Sequence, residues 1–316
     1  MPMGGRILTT LVAAGVLAGL CALPSSLPPA ASATGPTLGG CPMFPANNPW
    51  NTKITSNKVR SDSATLIHNI TSPNHTNLHA DFGGGGAYGI PFKVVGSTEP
   101  KRTIHYTAYG DKSDPGPFPI PPNAPVEGGA NSDGDRHVLV LQQGTCHLYE
   151  LGRAFWRGTR WDADVGVNWD LHSNKLRPLH WTSADAAGLP VLPGLVRYDE
   201  VAAGHIDHAV RFTAPKTQKG FIFPATHYAS SSTSASLPPM GLRLRLKASF
   251  SLTPYHGQAL VILKALKTYG MLLADNGSSW YITGAADKRW NDNDLNQLKK
   301  VAGSAFEAVD TGPVRH

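Results

Sequence analysis

Acidic residues are interleaved with tryptophan in the middle of the chain, in a pattern that suits sugar binding. The residues concerned are Glu150, Trp161, Trp169, Asp170 and Trp181. Indole rings stack on the C–H faces of pyranoses, while carboxylates hydrogen-bond hydroxyl groups or transfer protons. The pattern predicts a polysaccharide-binding cleft, with the three tryptophans as substrate-binding residues.

Two carboxyl groups of this region form the predicted catalytic pair. Glycoside hydrolysis uses two carboxyl groups that flank the scissile bond. Glu150 is the predicted acid/base, because it lies mid-strand where partial burial would raise its pKa, and Asp170 is its predicted partner. Asp135 and Arg136, at the entry to a preceding strand, are further predicted substrate-binding residues. The alternative for either carboxylate is a structural role, with arginine or backbone N–H groups as partners.

A second set of residues fits the elimination chemistry of a polysaccharide lyase. His208 opens a predicted strand over 208–213 and His227 follows one over 220–223, so hairpin pairing would bring both imidazoles near Arg211. In a lyase, a cation neutralises the uronate carboxylate while histidine or tyrosine removes the C5 proton. His208 and His227 are therefore alternative catalytic residues, and Arg211 is a predicted substrate-binding residue. Ordinary structural histidines are the competing interpretation.

The same histidines raise the question of a metal ion. Two imidazoles with Asp207 or Glu200 could bind a divalent cation, although the spacing from His205 to His208 lacks a helix or a cysteine partner. We predict no cofactor and assign no metal ligand, and a divalent cation stays an alternative.

Short strands are the elements expected to position these residues. Gly 33 and Pro 26, with charged residues at 16%, indicate strands joined by tight turns. Over 242–248 apolar and basic residues alternate, which predicts one buried face and one face in solvent. Helices are predicted over 258–269 and 293–301. The sequence therefore predicts a mainly β fold, sandwich or jelly-roll-like, with one or two packed helices.

The first residues indicate export. Arg6 precedes an apolar run over 7–20, and Ala-Ser-Ala stands at 31–33, as in a secretory signal peptide. The run is shorter than the ~20 residues that span a bilayer. We expect removal of 1–33, and secretion of 34–316 as a single β-rich domain with a Gly/Pro-rich N-terminal lead-in and no stable membrane association.

Cysteine content agrees with an oxidising compartment. Loss of the signal peptide would leave Cys41 and Cys146, an even pair. Exported proteins commonly oxidise such pairs, so the sequence predicts a disulfide between them.

Charge and motif content exclude several classes of function. The net charge is +6, but Lys and Arg are scattered rather than clustered with aromatic residues, which excludes nucleic acid as a predicted partner. The chain contains no Gly-x-Ser-x-Gly, His-Glu-x-x-His or nucleotide-binding motif. An extracellular polysaccharide is the predicted partner, and we expect a monomer.

Five stretches resemble secreted bacterial proteins that carry no assigned activity: TSADAAGLP, GLVRYDEV, PATHYAS, LPPMGLRLRLKASF and KTYGMLLADNG. The resemblance covers most of 34–316 and implies export and a single domain, without an activity. The residues themselves predict a glycoside hydrolase first, a polysaccharide lyase second, and a non-catalytic glycan- or wall-binding protein third.

Overall fold

The computed structural model of the protein describes Met1 and residues 35–71 and 75–316, so the rest of the predicted signal peptide lies outside the described residues. The described strands are β1 (Thr37–Leu38), β2 (Cys41–Pro42), β3 (His79–Asp81), β4 (Phe92–Val95), β5 (Ile104–Tyr106), β6 (Val138–Gln142), β7 (His147–Gly152), β8 (Phe155–Trp156), β9 (Trp161–Ala163), β10 (Val165–Asp170), β11 (Val210–Ala214), β12 (Arg243–Leu246), β13 (Met271–Asn276), β14 (Tyr281–Thr283) and β15 (Phe306–Val309). The described helices are α1 (Ser63–Ile70), α2 (Tyr198–Ala203), α3 (Gly257–Thr268) and α4 (Asp292–Leu295). The predicted mainly β fold with packed helices is confirmed.

The strands form several sheets of mixed direction. A six-stranded sheet has the order β15-β12-β13-β11-β14-β3, a four-stranded sheet β10-β7-β6-β4, and a three-stranded sheet β5-β9-β8, while β1 pairs with β2. In the six-stranded sheet β11 runs parallel to β13 and antiparallel to β14, and β14 runs parallel to β3. The start of β11 therefore lies beside the ends of β14 and β3.

One central strand of the four-stranded sheet, β6, is buried on both faces. Every residue of β6 is buried, because successive side chains point to opposite faces of the sheet and both faces are covered. Leu139 and Leu141 belong to the larger hydrophobic cluster, which includes residues of the six-stranded sheet. Val138 and Val140 belong to a smaller cluster with residues of the three-stranded sheet. The four-stranded sheet thus separates two cores.

A disulfide joins the N-terminal lead-in to this central sheet. Cys41 of β2 is bonded to Cys146, in the turn between β6 and β7, with Cα atoms 5.3 Å apart. The predicted disulfide is confirmed. In the chain-entropy model a closed loop of this length destabilises the unfolded chain by ~4–5 kcal/mol.

The prediction of a solvent-facing basic side over 242–248 is wrong for Arg243 and Arg245, whereas Lys247, just after β12, is exposed. Arg243 is 2% exposed and Arg245 is 9% exposed. Arg243 donates to the carbonyl oxygens of Pro49 and Tyr269, each over 2.8 Å, and Arg245 donates to that of Ile54. The N-terminal segment at Pro49 and Ile54 and the residue after α3, Tyr269, thus supply carbonyl partners to the two arginines. A charge alternation that suggested solvent instead marks a polar contact between segments.

Both predicted helices form at least in part, whereas one predicted strand does not form. The helix predicted over 258–269 is α3, and the region 293–301 forms α4 followed by a 3-10 turn at Asn296–Lys300. No strand forms over 220–223, where Phe221 makes only isolated bridges. In the described part of the chain, no helix is both long and apolar enough to cross a membrane.

Candidate functional site

Glu150, the predicted acid/base, is fully buried in the larger core. Strand β7 pairs it with Leu139 on one side and Val167 on the other, and both of these face the larger cluster. Its carboxylate accepts hydrogen bonds from Leu192 N over 2.9 Å and from Trp169 Nε1 over 3.0 Å, and Val191 N donates as well. With 0% of its surface exposed, Glu150 fixes the loop at 191–192 and does not reach a polymer in solution.

Burial raises the pKa of Glu150 to about 7, against the opposing effect of the three N–H donors. The raised pKa agrees with the prediction for Glu150, but its burial is complete rather than partial. Asp170 is exposed at the end of β10, and the alternation along the strand places it on the face opposite Val167 and therefore opposite Glu150. The structure thus does not form the predicted pair.

A different group of charged residues converges on Arg211, at the start of β11. The guanidinium donates to both oxygens of Asp185, from Nε over 3.0 Å and from Nη2 over 2.9 Å. Its Nη1 donates to Thr283 Oγ1 over 2.7 Å. Asp275 Oδ2 lies 3.8 Å from Nη2. A bidentate pair of this kind fixes both side chains and leaves Asp275 beside the same cation.

Strand topology explains this convergence. The end of β14 brings Thr283 beside Arg211, and the pairing of β14 with β3 sets Asp81 directly next to Thr283. The register of β11 and β13 shifts between Phe212 and Thr213, so that Asp275 pairs with Thr213. Such irregularities re-aim side chains and are frequent near functional sites.

Glu127 and His137 form a hydrogen-bonded pair near Arg211. Glu127 Oε2 lies 2.6 Å from His137 Nδ1, and His137 Nε2 lies 2.7 Å from the carbonyl oxygen of Ala184. Burial disfavours a charged ring, but the hydrogen bond to Glu127 raises the pKa of His137 to about 9. Burial likewise opposes ionisation of Glu127, yet the bond from His137 keeps the pKa of Glu127 below its usual value. The pair is therefore ionised at neutral pH.

We name this group the Arg211 cluster. Its members are Arg211, Asp185, Asp275, Thr283, Glu127, His137 and Asp81, with Asp135 alongside. The Asp185 side chain is 0% exposed, those of Asp275 and Glu127 are 24% and 27% exposed, and Asp81 is exposed. The cluster thus runs from a buried floor to a surface that solvent reaches.

Two aspartates of the cluster hold protons more tightly than usual. Burial, together with the charge of Asp185, raises the pKa of Asp275 to about 7, although Arg211 opposes the shift. Surrounding protein raises the pKa of Asp81, and the charges of Glu127 and Asp135 add to this effect while Arg211 opposes it. The cluster thus combines carboxyl groups whose pKa is raised, Asp275 and Asp81, with one whose pKa is lowered, Glu127.

Several residues predicted to bind sugar have structural partners instead. Trp161 is 1% exposed in the smaller core and donates from Nε1 to the carbonyl oxygen of Ile120 over 3.2 Å. Arg136 is buried, donates to the carbonyl oxygen of Ala154 over 3.0 Å, and stacks 4.1 Å above the Phe155 ring. Neither side chain is placed to bind a polymer, because each is committed to packing.

The predicted lyase trio is not assembled either. His208 is 0% exposed, with Nε2 3.1 Å from Glu200 Oε2 and Nδ1 2.7 Å from the carbonyl oxygen of Ala209. His227 lies half-buried elsewhere, with Nδ1 2.7 Å from the carbonyl oxygen of Ala186. Without a strand over 220–223 there is no hairpin to pair the two imidazoles, and the cation of Arg211 is already engaged by Asp185.

The metal alternative gains no support from the geometry. Buried His208 contacts Glu200, whereas exposed His205 contacts Asp207 over 2.9 Å, so the two imidazoles face different partners. Across 35–71 and 75–316, no three His, Cys, Asp or Glu side chains are arranged to hold a metal ion.

Two of the predicted substrate-binding tryptophans do share an open cleft with Asp170. Trp169 and Trp181 line a depression of about 550 Å³. Trp169 forms the wall between this cleft and Glu150, to which its indole N–H is bonded. Trp169, Trp181 and Asp170 thus line one cleft, and their role in sugar binding stays a prediction, while the buried carboxylate of Glu150 behind Trp169 belongs to the core.

Sequence reasoning missed Asp81 and Glu127. Asp81 ends a short strand directly before Phe82 and the glycine run at 83–86, and Glu127 precedes Gly128 and Gly129. A carboxylate beside consecutive glycines, where the backbone can approach a ligand closely, is the signal that could have identified them.

No protein-family model, curated protein or solved structure matches the chain. We therefore infer the chemistry of the Arg211 cluster from its distances, burial and charges.

Proposed function

We propose that this chain is an exported hydrolase that cleaves glycosidic bonds of an extracellular polysaccharide, with the Arg211 cluster as its catalytic site. Export is supported by the N-terminal sequence and by the disulfide, since such bonds persist in oxidising compartments. The reaction class is supported by the acidic side chains of the cluster, which glycoside hydrolysis requires in pairs.

One observation carries the proposal: Asp275 is partly exposed and has a pKa raised to about 7 beside Asp185 and Arg211. A proton donor works best when its pKa lies near the working pH. Asp275 is thus the general acid that protonates the leaving oxygen. Glu127, kept ionised by His137, is the base or nucleophile on the other side of the bond.

The remaining members position this pair. Arg211 compensates the buried charge of Asp185 and lies beside Asp275, so it limits how far the pKa of Asp275 rises. Asp81, exposed at the rim, is suited to hydrogen-bond sugar hydroxyl groups.

The test measures release of reducing ends from a panel of neutral and acidic polysaccharides. Asp275→Asn removes the donated proton but keeps the size of the side chain, so turnover should fall by about 100-fold or more. Asp133→Asn is the matched control, because Asp133 is exposed in the loop that precedes His137 and lies outside the cluster. Turnover by Asp275→Asn at the level of the control would refute the assignment.

The products separate the proposal from its rivals. Unsaturated products that absorb in the ultraviolet would establish a lyase instead. A wild-type protein that binds a polysaccharide and releases neither product would establish the non-catalytic alternative.

A further inference from the structure

The cleft between Trp169 and Trp181 shares no lining residue with the Arg211 cluster. Beside the two tryptophans, its lining includes Asp114, Asn168, Asp170, Lys175 and Arg177. Its volume of about 550 Å³ lies within the range of small-molecule sites, ~300–1,000 Å³. Indole rings with amide, hydroxyl and charged groups around them form the usual lining of a site for a polar ring.

Arg177 holds the walls of this cleft in place. Its guanidinium carbon lies 5.9 Å from the Trp169 ring centre and 5.3 Å from that of Trp181. It donates from Nη1 to Asp114 Oδ2 over 2.9 Å and from Nε to the carbonyl oxygen of Thr182 over 2.8 Å. Because one buried cation joins both indoles and two loops, the cleft exists before any ligand arrives.

The charges around the cleft indicate which ligand it accepts. Arg177 and Asp114 neutralise each other through their ion pair. Asp170 and Lys175, both exposed, contribute one negative and one positive charge. Asn168 and His147 are hydrogen-bonded to each other at 2.6 Å and offer polar edges. The lining has no net excess of either sign, so an uncharged ligand fits it better than a uronate.

We propose that the Trp169–Trp181 cleft is a second glycan-binding site, separate from the Arg211 cluster, that takes a segment of a neutral polysaccharide by stacking on Trp181. Trp181 supplies the platform because it is partly exposed, whereas Trp169 is 6% exposed and contributes mainly an edge. Binding here requires no catalysis, so this proposal stands or falls independently of the proposed hydrolysis.

Affinity electrophoresis in gels with xylan, glucomannan or hydroxyethyl cellulose tests it, with polygalacturonate as the acidic comparison. We expect one neutral polymer to retard the wild-type protein, and Trp181→Ala to weaken that affinity about tenfold, as for loss of a central aromatic contact. Tyr109→Ala is the matched control, since Tyr109 is 48% exposed and outside the cleft lining, and its affinity should equal that of wild type.

Asp275→Asn keeps the two proposals distinguishable. It should bind the polymer as wild type does even where it releases no reducing ends, whereas Trp181→Ala should lose affinity for the polymer but keep turnover of short soluble oligosaccharides. Should Trp181→Ala fail to fold, Lys175→Ala combined with Asn168→Ala removes exposed polar contacts and should weaken binding several-fold.

Three outcomes would overturn the second site. The first is a folded Trp181→Ala, or folded double variant, with wild-type affinity. The second is a wild-type protein that none of the neutral polymers retards. The third is retardation by polygalacturonate alone, which would assign the cleft to an acidic ligand.

Discussion

Two carboxyl groups of this protein, Glu150 and Asp275, have a pKa raised to about 7, yet their surroundings differ completely. Glu150 has no exposed surface and accepts hydrogen bonds from three N–H groups in an apolar core. Asp275 is 24% exposed and lies among charged side chains, with Arg211 at 3.8 Å. Burial is the largest cause of both shifts.

The comparison shows that a raised pKa alone does not identify a reacting group. Glu150 is close to full hydrogen-bond satisfaction, which suits a group that holds a loop in place. Asp275 combines a raised pKa with solvent access and ionised neighbours, and this combination is what acid–base chemistry needs. Substitution and pH dependence can test this difference between Glu150 and Asp275.

The largest stability effect should come from Arg211→Met, because it leaves the fully buried Asp185 carboxylate without its cation. Removing one partner of a buried pair costs about 3–5 kcal/mol, measured as the free energy of unfolding in urea. The double variant Arg211→Met/Asp185→Leu should recover much of this loss. A single variant as stable as wild type would mean that the cluster is more hydrated than its burial indicates.

Glu150→Ala should destabilise the protein by about 3 kcal/mol, because Val191 N, Leu192 N and Trp169 Nε1 lose their acceptor inside the core. Asp170→Asn, at the exposed end of β10, should change the free energy of unfolding by less than about 0.5 kcal/mol. Equal effects of the two substitutions would contradict the structural role assigned to Glu150.

Thermal stability should fall as the pH rises from 5 to 9. The pKa values of Glu150 and Asp275 are about 7 in the folded protein and near 4 in the unfolded chain, so ionising them costs folding free energy up to pH 7. The pKa of His137 is about 9 when folded against 6.5 when unfolded, so its stabilising charge is lost through pH 9. Calorimetry should record a drop in Tm of roughly 5 °C or more.

Glu150→Gln tests whether the ionisation of Glu150 causes the fall in Tm between pH 5 and pH 7. It should flatten the fall in Tm between pH 5 and pH 7 without moving the pH profile of turnover. An unchanged slope would assign the titration to other groups.

Among the charged groups of the Arg211 cluster, the smaller stability effect should come from Asp275→Asn. Its free energy of unfolding should lie within about 1 kcal/mol of wild type at pH 7, since the ion pair that Asp275 makes with Arg211 is long, at 3.8 Å, and Asp275 is 24% exposed. Wild-type turnover should decline as pH rises through about 7, where the donor loses its proton. A decline that begins only above pH 9 would point to a different acid.

The sequence predicted local features of the fold well and its long-range features less well. Period and capping located α3, and the even cysteine pair located the disulfide, because both follow from short-range chemistry or from counting. The burial of Arg243 did not follow, because its carbonyl partners at Pro49 and Tyr269 are distant in sequence. Alternation shows that a strand has two faces but does not show what covers each face.

The candidate site residues show the same difference between local and long-range features. Arg211 was selected for its charge. Trp169, Trp181 and Asp170 lie within one stretch of chain and line one cleft, but their binding role stays a prediction. Glu150 was misassigned because the donors that enclose it come from a loop about forty residues later. Asp81 and Glu127 were missed because only the pairing of β3 with β14 and the contact with His137 bring them to Arg211.

The covalent link between Cys41 and Cys146 bears on how the protein must be produced. Met43, Phe44 and Trp50, which follow Cys41, pack into the larger core, so the segment that the bond holds is also part of the hydrophobic interior. Synthesis in a reducing cytoplasm would leave the disulfide unformed. Met43, Phe44 and Trp50 could then leave the core more easily. A protease should then clip the reduced protein ahead of α1 while sparing the oxidised form, which makes limited digestion a direct assay of maturation.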